Sequence, residues 1–229
     1  MIYITGDKHS DFSRVFDFCI KYKTTEKDLL IVLGDAGINY YANDKDNVLK
    51  NDLIKCPITL FCVHGNHEER PENLENYKVK EFHEGIVYYE EEYPNILFAK
   101  DGEVYNFNNK KVLVIGGAYS IDKDTRIRLG YNWYESEQPN EVIKNKVIEV
   151  LKNSNNKVDV ILSHTCPFKY LPCEMFLKGV DQSKVDQSTE KFLDKIEDIT
   201  TYSTWYCGHF HTDKKVDNMR FMFNDIIEF

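Results

Sequence analysis

Short apolar runs punctuate the chain, and longer stretches of mixed character lie between them. Met1–Thr5, Leu29–Leu33, Ile58–Val63, Val112–Ile115, Val158–Leu162 and Thr204–Cys207 are nearly continuous in apolar residues. Runs of this length without polar alternation predict strands buried on both faces. Phe12–Tyr22 instead carries apolar residues at 12, 15, 16, 19 and 20, the spacing of one helical face, with Ser10 or Asp11 available as its cap. Asp44–Lys55, Glu141–Lys152 and Ser188–Ile199 read as further helices. Tyr77–Asn109 mixes short strands and loops, and Arg220–Phe229 reads as a strand hairpin turning near Asn224-Asp225. Strands alternating with helices predict α/β layering, with helices outside the sheets. No repeat, low-complexity stretch or linker divides the chain, so residues 1–229 are expected to form a single domain.

The residues that follow the strands carry the candidate chemistry. Met1–Thr5 gives way to Gly6-Asp7-Lys8-His9, Leu29–Leu33 to Gly34-Asp35, and the run ending at Val63 to His64, Gly65, Asn66, His67 and Glu68. His164 follows Val158–Leu162 after Ser163, and Gly208-His209-Phe210-His211 follows Thr204–Cys207. In open α/β sheets the strand ends converge on one crevice, where ligands bind. Five of the seven histidines would therefore meet two aspartates and an asparagine in one place. Nitrogen and oxygen donors without thiolate suit hard to borderline divalent cations. Eight such groups are too many for one ion but fit two ions about 3.5–4 Å apart. The glycines ahead of Asp7, Asp35, Asn66 and His209 would let the backbone turn sharply as it leaves the sheet.

DxH, GD, GNHE, a later lone histidine and GHxH, in this order across residues 7–211, resemble the calcineurin-like metallophosphoesterase superfamily. Gly116–Ser120 and Ser163–Pro167 look like the corresponding text of its small bacterial and phage members. The resemblance implies an α/β fold, a four-layer αββα sandwich of two mixed β-sheets packed face to face with helices outside. It implies two divalent metal ions (Mn, Fe or Zn), with Asp7, His9 and His211 on the first, Asn66, His164 and His209 on the second, and Asp35 bridging them. His67 would sit beside the site as general acid, and Asn66 and His67 would also touch substrate. The implied reaction is hydrolysis of a small phosphomonoester or phosphodiester, a nucleotide among the candidates, by attack of a metal-bridging hydroxide. One departure stands out. Many members carry a second acid in GDxxD that orients the catalytic histidine, but position 38 is isoleucine here, and Asn39 is the nearest polar substitute. Ser10 also replaces the glycine of the protein-phosphatase GDxHG motif, which argues against a Ser/Thr phosphatase.

Charge and composition narrow the partners. A formal net charge of −9 disfavours a duplex or long RNA strand, which would want a basic face. A small anionic substrate remains compatible when metals supply the positive field. Six cysteines without a CxxC pair read as reduced core thiols of a cytoplasmic protein. No apolar run is long enough to cross a bilayer, so no membrane partner is expected. The rival readings are a nuclease or protein phosphatase on the same scaffold, or a non-catalytic metal-binding interaction module that keeps the fold; loss of ligands would mark the last, and none is missing here. Arg126 and Arg128, two of only five arginines, are candidates to contact substrate phosphate, set against a solvated surface loop. Tyr131, Trp133 and Tyr134 could stack on a base or simply pack. His64 could enter the core or support a ligand. Glu68, Glu69 and Arg70 read as a solvated helix start, with Glu68 also a candidate to support a ligand.

Overall fold

The computed structural model describes all residues from Met1 to Phe229. Strands β1 (Ile2–Thr5), β2 (Leu29–Val32) and β3 (Thr59–Cys62) alternate with helices α1 (Ser13–Tyr22) and α2 (Asn47–Leu53). Five strands then follow without a helix: β4 (Lys78–Phe82), β5 (Gly85–Glu90), β6 (Tyr93–Ala99), β7 (Val104–Phe107) and β8 (Lys110–Ile115). Helices α3 (Lys123–Leu129) and α4 (Glu141–Asn153) precede β9 (Val160–Ser163), and α5 (Ser188–Ile199) precedes β10 (Thr204–Cys207). β11 (Lys214–Val216), β12 (Met219–Phe221) and β13 (Ile227–Glu228) come last. The strands form a seven-stranded sheet, β13-β1-β2-β3-β6-β5-β4, and a six-stranded sheet, β11-β12-β10-β9-β8-β7. Both are mixed. β1, β2, β3 and β6 run parallel in the first, and β8, β9, β10 and β12 in the second.

The period-two geometry of a strand explains the layering. Ile2, Ile4, Leu29, Ile31, Leu33, Phe61 and Val63 of the first sheet meet Val112, Val114, Val160 and Leu162 of the second in one shared core. Their alternate neighbours Leu30, Val32, Leu60 and Cys62 lie under α1 and α2, against Val15, Cys19 and Leu53. On the far side, Leu113, Ile115, Ile161 and Trp205 pack against Val147 and Leu151 of α4 and Phe192, Leu193 and Ile196 of α5. The result is four layers, helix–sheet–sheet–helix, as the sequence resemblance implied. Each fully buried large side chain contributes roughly 1.5–3 kcal/mol, and Trp205, Phe61, Phe98 and Phe107 are among these. Neither Ser10 nor Asp11 is the N-cap of α1, which is Phe12 without a side-chain cap; Asp11 Oδ1, one residue earlier, accepts the Ser13 backbone N–H at 3.0 Å. No helix is long and apolar enough to cross a membrane.

Three expectations are corrected. Arg220–Phe229 is not a hairpin: β12 pairs parallel to β10 in one sheet, and β13 pairs antiparallel to β1 in the other. The polar residues taken for a turn are held by a side chain, because Asp213 accepts the backbone N–H groups of Phe223, Asn224 and Asp225. The hairpin lies one element earlier, between β11 and β12. Secondly, Arg126 and Arg128 lie on a helix, α3, rather than a loop. Thirdly, Glu68 and Arg70 are not a solvated helix start; they are 0% and 4% exposed. Glu68 accepts backbone N–H groups from Gly37 and Gly65, and Arg70 pairs with Asp101 at 2.5 Å. Five of the six cysteines are buried thiols, and Cys173 is exposed.

Candidate metal centre

The parallel strands of the two sheets bring their C-terminal ends together. Backbone and ring contacts tie the turns that leave them. His164 Nδ1 lies 2.8 Å from the Leu33 carbonyl, Gly208 N–H donates to the His164 carbonyl, and Gly117 N–H donates to the His64 carbonyl. The approach is close enough that a side chain at Gly208 would strike Asp7 Oδ1 at 2.3 Å, and one at Gly34 would strike the His164 ring at 2.1 Å. Four of the predicted ligands, His9, Asp35, His209 and His211, have φ between 46° and 66°, a region L-residues visit rarely. Such strain persists only where surrounding contacts over-determine it, and it clusters at functional sites.

Two donor groups result. Asp7, His9 and His211 form the first: Asp7 Oδ2 is 3.7 Å from His9 Nε2 and 3.4 Å from His211 Nε2, and the two ring nitrogens are 2.9 Å apart. Asp7, Asp35 and His164 form the second. Asn66 joins it through Oδ1, 2.8 Å from His164 Nε2. His209 belongs to neither three-donor group, but its ring stands edge-on to His164 with centroids 5.0 Å apart. Asp35 Oδ2 lies 3.9 Å from His9 Nδ1, 3.6 Å from His164 Nε2 and 3.9 Å from His67 Nε2, between the two sets.

The donors fit cations. Asp7 Oδ1 accepts the His209 backbone N–H at 2.8 Å, while Oδ2 is buried and has no hydrogen-bond partner. A buried carboxylate oxygen left unpaired is costly unless something positive supplies it. His164 donates from Nδ1 to a carbonyl, which in the neutral ring leaves a lone pair on Nε2. Asn66 donates from its amide nitrogen to Ser120 Oγ at 2.8 Å, so its Oδ1 faces that nitrogen. With the neutral ring both lone pairs converge where a shared cation would accept them; with the charged ring Nε2–H donates to Asn66 Oδ1 at 2.8 Å.

Electrostatics agree. Burial alone would raise the Asp7 carboxyl, but the neighbouring His164, His211 and His9 imidazoles hold it below the usual range. Burial likewise opposes ionisation of Asp35, yet His164, His67 and His9 hold it lower still. Burial pushes His209 down to about 3, next to His164, and lowers His67. The Asp7 carboxylate, 3.4 Å away, raises His211. The carboxylates are therefore charged, and His209 is a neutral donor.

The neighbourhood of His67 differs from the expectation. Ile38 is a fully buried core residue, and Asn39 does not reach His67, since its Oδ1 accepts the Tyr77 hydroxyl at 2.9 Å. His67 Nδ1 has no partner. Its Nε2 instead lies 3.4 Å from Arg126 Nη2, and Asp122 Oδ2 holds that guanidinium at 2.8 Å. Arg128 is exposed and makes no hydrogen bond or ion pair with these groups. His64 is buried with both ring nitrogens unpartnered, and Tyr131 is exposed at the surface. Ser120, Asp122 and Glu190, which line or support this centre, were not singled out in the sequence. Only the i, i+4 spacing of Asp122 and Arg126 offered a local signal.

A two-sheet sandwich with carboxylate, imidazole and amide donors at its strand ends defines a phosphoesterase scaffold. The chain belongs to the calcineurin-like phosphoesterase family, whose model matches residues 1–213. Among curated proteins no relative matches it. The TT1561 protein of Thermus thermophilus is 13% identical, with a TM-score of 0.48, over 91% of this chain and 80% of that one. A second solved structure is 13% identical, with a TM-score of 0.51, over 96% of this chain and 88% of its own. AQ665 from Aquifex aeolicus, a protein of unknown function, is 15% identical, with a TM-score of 0.32, over 76% of this chain and 82% of its own. At 13% identity the likeness to the second structure speaks to fold alone.

Proposed function

We propose that this protein hydrolyses a small phosphomonoester or phosphodiester with two divalent metal ions bound at the strand ends. The observation that carries this reading is the unpaired Asp7 Oδ2, buried between His9 and His211. Asp7, His9 and His211 would hold one ion. Asn66, His164 and His209 would hold the other, with Asp35 reaching both sets. Divalent cations lower the pKa of a bound water and offset phosphate charge.

The chain's own residues do the rest. Arg126 presents a guanidinium whose charge and donors match a phosphate. In the resting protein it donates toward His67 Nε2. A substrate phosphate oxygen would replace the ring as acceptor and leave Nε2 free to face the leaving oxygen. Nε2, an unprotonated acceptor while Arg126 donates to it, then takes up a proton from solvent beside the Asp35 carboxylate and passes it to that oxygen. Asp122 keeps Arg126 extended toward that position. Burial and the hydrogen bond that the His67 backbone N–H donates to Asp35 Oδ1, at 2.9 Å, fix the turn that carries the imidazole. The test is hydrolysis of bis(p-nitrophenyl) phosphate and p-nitrophenyl phosphate by Mn²⁺-loaded protein, alongside metal content. Asp35→Asn and His211→Ala are expected to abolish turnover and lower bound metal. Wild-type activity in both variants would sink the assignment.

A further inference from the structure

A cavity of about 370 Å³ opens beside the metal centre. That volume falls within the roughly 300–1,000 Å³ that small-molecule sites occupy. Asp35, Asn66, His67, His209 and His211 line one part of it. The rest is of another character. Tyr119, Phe210 and Phe176 supply aromatic surface, and Leu171, Leu177 and Val185 supply aliphatic surface. Gln182, Gln187 and Glu190 are the polar groups of this remaining wall, apart from Asp122. The segment that carries most of these residues is anchored through Gln138, whose Oε1 accepts the Ser188 and Thr189 hydroxyls and whose Nε2 donates to Asp186.

Glu190 is the informative member. It is 5% exposed, and its Oε1 accepts the Thr165 hydroxyl at 2.8 Å. Its Oε2 is buried and has no hydrogen-bond partner. Buried acceptors in native proteins are nearly always supplied with a donor, and none comes from the protein here.

We propose that this cavity receives a nucleoside as the alcohol half of the phosphate ester, with the base against Tyr119, Phe176 and Phe210 and a base N–H donating to Glu190. This rests on the phosphoesterase reading of the adjoining centre. Three ligand classes compete for a site of this size. A sugar or glycerol phosphate would leave the aromatic surface uncovered. An acyl chain would cover it but would offer nothing to Glu190, Gln182 or Gln187. A nucleobase alone combines a π-face for the rings with edge donors and acceptors for an unpaired carboxyl oxygen and two amides.

The experiment compares kcat/KM within two pairs that differ only in the base. One pair is adenosine 5′-monophosphate and ribose 5-phosphate; the other is thymidine 5′-(p-nitrophenyl) phosphate and 2-deoxyribose 5-(p-nitrophenyl) phosphate. The base-bearing member of whichever pair is hydrolysed is expected to be favoured by roughly 10-fold or more, the scale of one base–aromatic stacking contact. Phe176→Ala and Glu190→Gln should each move that ratio toward one. Equal turnover within the pair, or a ratio untouched by both variants, overturns the nucleoside assignment and leaves the phosphoesterase reading standing. Absence of turnover on all four esters with both metals bound overturns the phosphoesterase reading instead. Saturation-transfer NMR with adenosine, which carries no phosphate, then decides the cavity: transfer to the base protons that Phe176→Ala removes supports it, and no transfer overturns it.

Discussion

Three glycines allow steric contact and backbone strain to be separated at the metal centre. At Gly208 an added methyl carbon would sit 2.3 Å from Asp7 Oδ1 and 2.8 Å from the Leu33 carbonyl oxygen. Ordinary contact begins near 3.4 Å, so the carboxylate must retreat by about 1 Å in an interior too close-packed to absorb it. That retreat breaks the 2.8 Å bond from His209 N–H and carries Oδ2 away from His9 and His211. Losing a partner that orients a ligand typically weakens metal affinity roughly 10–100-fold. Gly208→Ala is therefore expected to weaken metal binding by that factor. Gly130 is the control, with φ +72° and nothing within 4 Å. Gly130→Ala should lose about 1–2 kcal/mol of stability from the left-handed backbone alone and keep its metal affinity. Gly34 combines both effects, with φ +96° and the His164 ring 2.1 Å away, so Gly34→Ala should lose stability and metal together. Competition against a chelating dye reads the affinity, and calorimetric melting of the metal-free proteins reads the stability. Wild-type affinity in Gly208→Ala, or metal loss in Gly130→Ala, would refute the reasoning.

Other expectations follow from single contacts. Arg126→Ala should raise KM for a phosphate ester by roughly 10-fold or more, the scale of a lost charged hydrogen bond, whereas Arg128→Ala should match wild type; equal KM in both variants would remove Arg126 from the phosphate site. Lys50 is 3% exposed and bonds Glu90 at 2.5 Å, so Lys50→Met strands a buried carboxylate. Urea unfolding should show a loss of about 3–5 kcal/mol, largely restored by adding Glu90→Gln; a loss under about 1 kcal/mol would contradict the pairing. Burial raises Glu190 from an ordinary 4.5 to about 7, so the folded state holds its proton more tightly than the unfolded one. Stability is then greatest below the unfolded value and falls as pH rises through the folded one, by about 3 kcal/mol at most. Glu190→Gln should flatten that slope in metal-free protein, and an unchanged slope would assign it elsewhere.

What could be read from the sequence, and what could not, divides along physical lines. β1, β2, β3, β8, β9 and β10 are buried on both faces, so their apolar runs stand out without any knowledge of partners. Asp7, Asp35, Asn66 and His164 were legible because polar donors stop those runs abruptly. α3 was not, because it buries no residue and leaves Ile127 and Leu129 exposed. Without a core-facing stripe it has no periodic signal. Glu68 and Arg70 look like surface charge because their partners, the Gly37 N–H and Asp101, lie far along the chain. The contact between Arg126 and His67 was hidden for the same reason, because Arg126 comes from α3, across the crevice. Glu190 reads as helix surface, and only its packing against Thr165 reveals a buried carboxyl.

The pairing of β13 with β1 joins the two extremes of the sequence. The carbonyl of Phe223 accepts Lys8 Nζ at 3.0 Å and the Thr5 hydroxyl at 3.3 Å, bracketing the turn that presents Asp7. Contacts this distant along the chain carry a large loop-closure entropy and slow the search for the native state. A chain still missing its final strands lacks the backbone that brackets the Asp7 turn, so a truncation before β13 is expected to lower metal uptake, read by metal content of the purified variant.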